Sequence, residues 1–543
     1  MTERSGSVQS GARALGKVRG AAPIHPFFFF LYPVASLLAW NVQELYAGQA
    51  IRSILATLAG CLIIWTLLAM ITRDIHLAAI LTSLAGLLFF SYGHVYDSLG
   101  PIRSLGSQFA RHRFLIPAWV ALFLAASAIM ARKRASARSM TPVLNVMGLA
   151  ALLMPILSLV VFFSRTQTDD ARATRIPAVV LRPPTDVPSP DIYYIILDGY
   201  ARSDTMHEAI GLDNSEFIAF LERQGFYVAA NSRSNHNWTS LSLASSLNLT
   251  LAQYLGANML PGYYPTPFVD FIRHSLVRRS LEEIGYRSVA FQSGYLPTEW
   301  IDADAYVGPA TDSLPSPNVG FQPNAFESML LDTTLLQPVL SWPPLGFELQ
   351  GTPTRDQSYP YDVLRAVILS EFNHLAQPLP LEGPRLVFAH IVAPHSPYLF
   401  TATGEARSSD QPFTLLEAAD VSANDRDLYR DQAAYITGRA QEVIQSILVN
   451  SDTPPVIILQ ADHGPGLGMG QAERTAILNA ILVREDCRSM LYPSITPVNT
   501  FRLVFNCYFD SDLPLVEDEV YWSKWPRESA YEFLLLPTDE LQP

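Results

Sequence analysis

Apolar and polar positions are distributed very unevenly along the chain. Up to residue 163 the apolar residues come in long blocks, and beyond residue 190 they come in runs of four to seven broken by Gly, Pro, Asp and His. Five blocks stand out: Pro26 to Val42, Ile51 to Ile71, Leu77 to Val95, Phe114 to Met130 and Pro142 to Phe163. Each approaches the ~20 residues a helix needs to cross a bilayer, so the pattern predicts about five transmembrane helices. The first is the weakest because Pro33 interrupts it, although its Phe27 to Phe30 run and Trp40 suit an interface anchor. A cleaved leader fits less well, since no small-x-small site follows at once and four more blocks come after it. The shorter runs beyond residue 190 read as buried strands of a mostly parallel sheet.

Charge sharpens this division. Of 543 residues with a formal net charge of −13, the part up to residue 189 holds 17 Lys/Arg and 7 Asp/Glu, and the remainder holds 20 and 43. A basic membrane section thus precedes an acidic section that meets water, and no basic nucleic-acid surface is available. With the N-terminus inside, the inner segments carry nine Lys/Arg (Arg4, Arg13, Lys17, Arg19, Arg73, Arg132, Lys133, Arg134, Arg138) and the outer loops four (Arg52, Arg103, Arg111, Arg113). That bias puts the C-terminal section outside. The expected organisation is a cytoplasmic segment 1–25, a membrane domain 26–163, a Pro-containing linker 164–190, and an extracytoplasmic α/β domain 191–543. Of three cysteines, Cys61 falls in a span, and Cys487 and Cys507 fall outside, where a single disulfide is open to them.

Three strand-like runs end in ligand-type residues. Ile192 to Leu197 ends at Asp198-Gly-Tyr-Ala-Arg202; Leu386 to Val392, which contains His390, is followed by Ala-Pro-His395-Ser-Pro; Val456 to Leu459 is followed by Gln-Ala-Asp462-His463-Gly464. The carboxyl ends of strands in open α/β sheets are where ligands bind. Taken singly, Asp198 could equally cap a turn, and Asp462 with His463 could be a loop hydrogen bond. Between the first and second runs, Leu241, Leu243, Ala244 and Leu247 fit a helix starting near Thr239. A hydroxyl there faces free N–H groups that favour an anion, or it is simply an N-cap, with Ser240 and Ser242 as competing hydroxyls.

In that order and context, Asp198, Thr239, His395, Asp462 and His463 resemble the alkaline phosphatase and sulfatase superfamily. The resemblance is closest to the membrane-anchored sulfatase-like transferases, which include lipoteichoic-acid synthases and phosphoethanolamine transferases. It covers most of residues 190 to 510, through Asp191 to Asp204, Phe217 to Asn248, Phe388 to Pro397, Asp462 to Gly466 and Leu491 to Arg502. It implies a divalent cation held by Asp198, Asp462 and His463, with Thr239 as both fourth ligand and nucleophile, and His395 at the transferred group or the departing oxygen. His390, Arg202 and Asn235 stand as substrate contacts, with buried structure as the alternative for His390 and surface ion pairing for Arg202. Two carboxylates, an imidazole and a hydroxyl favour Mn²⁺ or Zn²⁺, with Mg²⁺ compatible.

The implied activity is transfer of a phospho-headgroup from a membrane phospholipid to an envelope glycan or lipid at a bacterial inner membrane. The alternatives are a membrane-anchored phosphoester hydrolase and a non-catalytic tethered binding protein. No Cys/Ser-x-Pro-x-Arg signature surrounds Thr239, which disfavours sulfate ester cleavage. A second metal set is not evident, and two external cysteines cannot supply the several disulfides usual among phosphoethanolamine transferases. The oligomeric state is not legible.

Overall fold

The computed structural model describes residues 21–42, 47–99, 111–173, 176–183, 188–255, 266–309, 325–340, 358–379, 381–407, 424–524, 532–537 and 541. The chain divides into two compact units, the first formed by residues 1–40, 50–157 and 330–339 and the second by the rest.

The N-terminal section forms α1 (His25–Asn41), α2 (Ile51–Thr72), α3 (Ile75–Ser98), α4 (His112–Arg132) and α5 (Ala137–Ala173), one helix over each apolar block. Among the described residues, four stretches, Gly48–Thr72, Ile75–Ser98, His112–Arg132 and Ala137–Ser164, are long and apolar enough to cross a membrane. Helix α1, with 17 residues and Pro33 inside it, falls short of that length. Its apolar side chains turn inward instead. Phe30, Val34 and Leu38 are buried, and the Phe30 ring fills the space a side chain at Gly86 of α3 would need.

Helix α3 is the enclosed member of the bundle, starting at Asp74, whose carboxylate accepts from the N–H groups of His76 and Leu77. Its polar groups find partners on other helices, as lipid supplies none: His76 Nδ1 lies 2.8 Å from Thr141 Oγ1, and Ser83 Oγ lies 2.7 Å from His25 Nδ1. On α2, α4 and α5, by contrast, Ile63, Met70, Leu124, Val146 and Met154 face outward.

Residues Leu330–Val339 join this first unit, although the sequence pattern assigns all of 191–543 to one outer domain. The Leu335 N–H donates to Phe89 O at 2.9 Å, and a Cβ at Gly93 would fall 1.9 Å from Asp332 O, so only glycine lets this segment approach α3.

The second unit is built on a seven-stranded sheet of order β2-β7-β6-β1-β5-β3-β4, with β1 (Ile192–Leu197), β2 (Tyr227–Val228), β3 (Arg287–Phe291), β4 (Ala305–Val307), β5 (Arg385–Ile391), β6 (Val456–Gln460) and β7 (Asn479–Leu482). The run β6-β1-β5-β3-β4 is parallel, and among the described strands only β7 runs against it. Strand β1 lies between β5 and β6, with Ile196 opposite His390 and Gln460.

Alternation splits the strands between two cores. Tyr193, Ile195, Leu197, Val387, Ala389 and Ile391 pack under α7 (Ser358–Leu375) and α8 (Asp425–Asn450). Ile192, Tyr194, Ile196, Leu386 and Phe388 pack on the face of α6 (Thr239–Leu247) and α9 (Pro497–Tyr508). Each fully buried Leu, Ile or Phe contributes about 1.5–3 kcal/mol, so this double cover makes β1 the rigid centre from which the site is hung.

Two expectations are refined. The predicted linker 164–190 is partly structured: α5 runs on to Ala173, and residues 176–183 pack within the second unit, where the Val179 N–H donates to Ser280 Oγ (2.8 Å), the Arg182 N–H to Phe509 O (3.0 Å), and Leu181 is buried. The apolar Ile176, Val179 and Leu181 within the Pro-containing stretch supply the reason. Cys487 and Cys507 form a disulfide that fastens the turn 485–490 to α9.

Candidate active site

The three central strands deliver their terminal residues to one edge. Asp198 follows β1 directly, His390 sits one residue before the end of β5 with His395 in the loop beyond, and Asp462 and His463 follow β6. The turn after Asp198 needs Gly199, whose φ is +72°. Thr239 arrives from outside the sheet as the first residue of α6. The N-cap position belongs to Trp238, and no side chain caps the helix, so Thr239 does not act as a cap. Its Oγ1 lies 3.2 Å from His463 Nε2. Of the competing hydroxyls, Ser240 Oγ instead faces Tyr295 Oη at 3.4 Å, and Ser242 is buried within the helix packing.

Around this point His463 Nε2 is 3.3 Å from Asp462 Oδ2 and 3.5 Å from Asp198 Oδ1, and His390 Nε2 is 3.5 Å from Asp198 Oδ2. Among the described residues, two ligand sets of metal-binding dimensions share Asp198: one with His395 and His463, the other with His390 and Asp462. Asp198, His390, Asp462 and His463 are all buried, yet Asp198 Oδ1, Asp462 Oδ2 and His390 Nε2 have no hydrogen-bond partner. A buried polar atom left unmet costs about 1–3 kcal/mol, more when charged, and three of them converging is the arrangement a cation relieves. The donor set therefore fits a divalent ion. Burial alone would raise the Asp198 carboxyl, but His395, His390 and His463 outweigh it and hold the group far below the usual carboxylate range.

Surrounding bonds set the orientation of each donor. His463 Nδ1 donates to Gly464 O (2.9 Å) and His395 Nδ1 to Ser396 O (2.5 Å); a carbonyl only accepts, so each Nδ1 carries a proton and Nε2 is the nitrogen left to meet a cation. His390 Nδ1 lies 2.9 Å from Thr298 Oγ1, whose own hydrogen points at Tyr295 O (3.0 Å), which gives His390 the same tautomer. Asp462 Oδ1 accepts from the Gly199 N–H at 3.1 Å. Behind Thr298 stand Glu299, which accepts from the Gly294 N–H and is bonded by Tyr306, and the fully buried Glu371.

Gly464 is held against residues 473–476, where a Cβ would fall 2.2 Å from Glu473 O. Arg474 is buried there, donating to Gly464 O and Asn237 O with its guanidinium 5.4 Å over the Trp238 ring, so it ties the His463 loop to the start of α6.

Arg202 and Asn235, expected on substrate, are committed to protein partners. The Arg202 guanidinium pairs with both Asp204 oxygens and donates to Ser232 O; Asn235 bridges Glu519 O and the Val498 N–H. Tyr295, Thr298 and Glu299 were not anticipated. Their signal, a turn with Gly294 after the β-rich run Ser288 to Phe291, has the form of the other three strand ends but lacks a metal-type residue at its tip.

No family model matches the chain, and no curated protein matches it. Among solved structures, the chain is similar to the C-terminal periplasmic domain of EptC from Escherichia coli in complex with Zn, at 10% identity over 67% of this chain and 98% of that one, with a TM-score of 0.40. It is also similar to the integral membrane lipooligosaccharide phosphoethanolamine transferase A from Neisseria meningitidis (12% identity, 86% and 90% covered, TM-score 0.35). A third is a putative sulfatase from Bacteroides thetaiotaomicron (12% identity, 63% and 78% covered, TM-score 0.35).

Proposed function

We propose that the chain is a membrane-embedded, metal-dependent phosphotransferase that moves a phospho-headgroup from a phospholipid to an envelope glycan or lipid through a phosphothreonine at Thr239. The observation that carries this reading is the Thr239 hydroxyl, at an uncapped helix N-terminus, lying 3.2 Å from His463 beside buried ligand atoms that lack partners. A divalent cation held by Asp198, Asp462, His463 and Thr239 would make that hydroxyl more acidic and offset charge growing on the phosphoryl oxygens. The carboxylate-rich donor set with imidazole suits Zn²⁺ or Mn²⁺ better than Mg²⁺.

The first N–H groups of α6 offer the phosphoryl oxygens a fixed dipole. Thr239 Oγ1 forms the bond to phosphorus as the bond to the lipid glycerol oxygen breaks in line. His395, placed beside Asp198 and His463, would take the proton of Thr239 and hand it to the departing oxygen, and in the second half would take one from the acceptor hydroxyl as it attacks the phosphothreonine and return it to Thr239 Oγ1 as the P–O bond to threonine breaks. The disulfide Cys487–Cys507 and the acidic C-terminal section support an oxidising compartment outside the inner membrane, with donor lipid and site on the same side.

The test is intact-mass analysis of the full-length protein in detergent, loaded with Zn²⁺ or Mn²⁺ and incubated with mixed phospholipids but no acceptor. Wild type is expected to gain one headgroup-sized adduct and Thr239→Ala none. Metal-dependent phosphate release that persists in Thr239→Ala would overturn the threonine intermediate in favour of direct attack by water. Absence of both adduct and turnover with every divalent cation would overturn the enzyme.

A further inference from the structure

The long helix α8 presents an apolar stripe of Ala433, Ile436, Ala440, Val443, Ile444 and Ile447 to the sheet, but its first turns bury two polar side chains, Tyr429 and Gln432. Burying a hydroxyl and an amide is unfavourable unless each is fully bonded. Both are, and their partners are the two loops that carry Asp198 and His395.

Tyr429 Oη donates to Gly199 O (2.8 Å) and accepts from the Ala201 N–H (3.2 Å), spanning the turn next to Asp198. Gln432 Oε1 accepts from the N–H groups of Leu399 (2.6 Å) and Phe400 (3.2 Å), and Nε2 donates to His395 O (2.9 Å) and Pro394 O (3.2 Å). The amide has two donors and two acceptor sites, and this loop engages all of them. The loops also meet directly, through the His395 N–H on Asp198 O at 3.0 Å.

We propose that α8 is the element that sets the spacing between the cation-binding edge and His395, with Tyr429 as the positioning residue for Asp198 and Gln432 the positioning residue for His395. Three residues apart on one helix, the two side chains divide the work. Tyr429 governs how well the cation is held, and Gln432 governs how well His395 reaches the reacting oxygen. A misplacement of about 1 Å in such a group costs on the order of a hundredfold in rate without touching the ion.

This rests on the function proposed above, so the test includes a readout independent of turnover. Full-length wild type, Tyr429→Phe and Gln432→Glu are compared in detergent by hydrogen exchange, by Zn²⁺ titration and by hydrolysis of bis(p-nitrophenyl) phosphate. The Gln432→Glu change keeps the acceptor for Leu399 and Phe400 but loses both donors; the Tyr429→Phe change removes one hydroxyl, which keeps the test open should the Gln432 variant not fold.

Gln432→Glu is expected to speed exchange in residues 393–400, lower kcat roughly 10–100-fold and leave KM and Zn²⁺ affinity unchanged. Tyr429→Phe is expected to speed exchange in residues 198–201 and weaken Zn²⁺ binding about tenfold. Exchange unchanged in both loops, or equal losses of metal and kcat in both variants, would overturn the division of labour. A wild type that neither binds Zn²⁺ nor turns over would overturn the proposed function instead, while the exchange pattern would still decide the role of α8.

Discussion

The Thr298 hydroxyl does for His390 what backbone carbonyls do for His395 and His463: it holds a proton on Nδ1 and leaves Nε2 to meet a cation. If His390 joins the donor set, Thr298→Val is expected to weaken Zn²⁺ binding by about 10–100-fold, and Thr298→Ser to restore it. Competition with a chromophoric chelator measures both, and unchanged affinity in the valine variant would remove His390 from the set.

Behind it, burial and the neighbouring Glu299 raise the Glu371 carboxyl well above the ordinary carboxylate range. Glu371 then keeps its proton in the folded state and releases it on unfolding, so its contribution to stability is complete below the ordinary glutamate pKa and is lost as pH rises toward the raised value. Thermal melts between about pH 5 and about pH 8 should show this decline, flattened in Glu371→Gln; an identical slope in that variant would assign it to another group.

At this scale Asp198, Asp462 and His463 were readable because each follows an apolar run at a turn. Thr298 and Glu299 follow a strand end that lacks a metal-type residue at its tip, and Gln432 acts through bonds to a distant loop, so none of the three carries a site signal of its own.

Among elements, β1, β5 and β6 were legible because a strand covered on both faces must be apolar throughout. Strands β2 and β4, of two and three residues, give no such signal, and β3 begins with the exposed Arg287. The start of α6 was placed correctly, yet the cap fell one residue earlier than a hydroxyl preference suggests. Trp238 is held there by Arg474 over its ring and by Ser523 O on its indole N–H. The Asp-His-Gly corner depends on a missing Cβ in the same way. Gly464→Ala is expected to push the 473–476 backbone away, destabilising the fold by about 1–3 kcal/mol and displacing His463 from Thr239. Melting temperature with and without Zn²⁺ reads both effects: a variant that melts like wild type and gains the same Zn²⁺ stabilisation would show that the corner yields freely.

For the molecule as a whole, apolar blocks and the charge split announced a membrane section and a separate α/β unit, because lipid and water impose opposite compositions. Whether α1 crosses is decided by length, and here sequence and structure both leave it the shortest. The Lys/Arg bias favours Thr2 inside, so reporters fused at Thr2, Thr141 and Thr168 are expected inside, inside and outside; Thr2 on the same side as Thr168 would give the four spans that helix length allows.

The excursion of Leu330–Val339 into the helical unit means that the chain passes between the two units more than once. A truncated version starting at residue 176 would keep the sheet, the disulfide and every candidate ligand, but it would also carry this leucine-rich strip without the backbone contacts it makes at Phe89 and Gly93 of α3. Clumping of such a fragment would report an orphaned strip and not a misfolded sheet. Trimming 325–340 to a short Gly/Ser bridge is therefore the first step toward a detergent-free version.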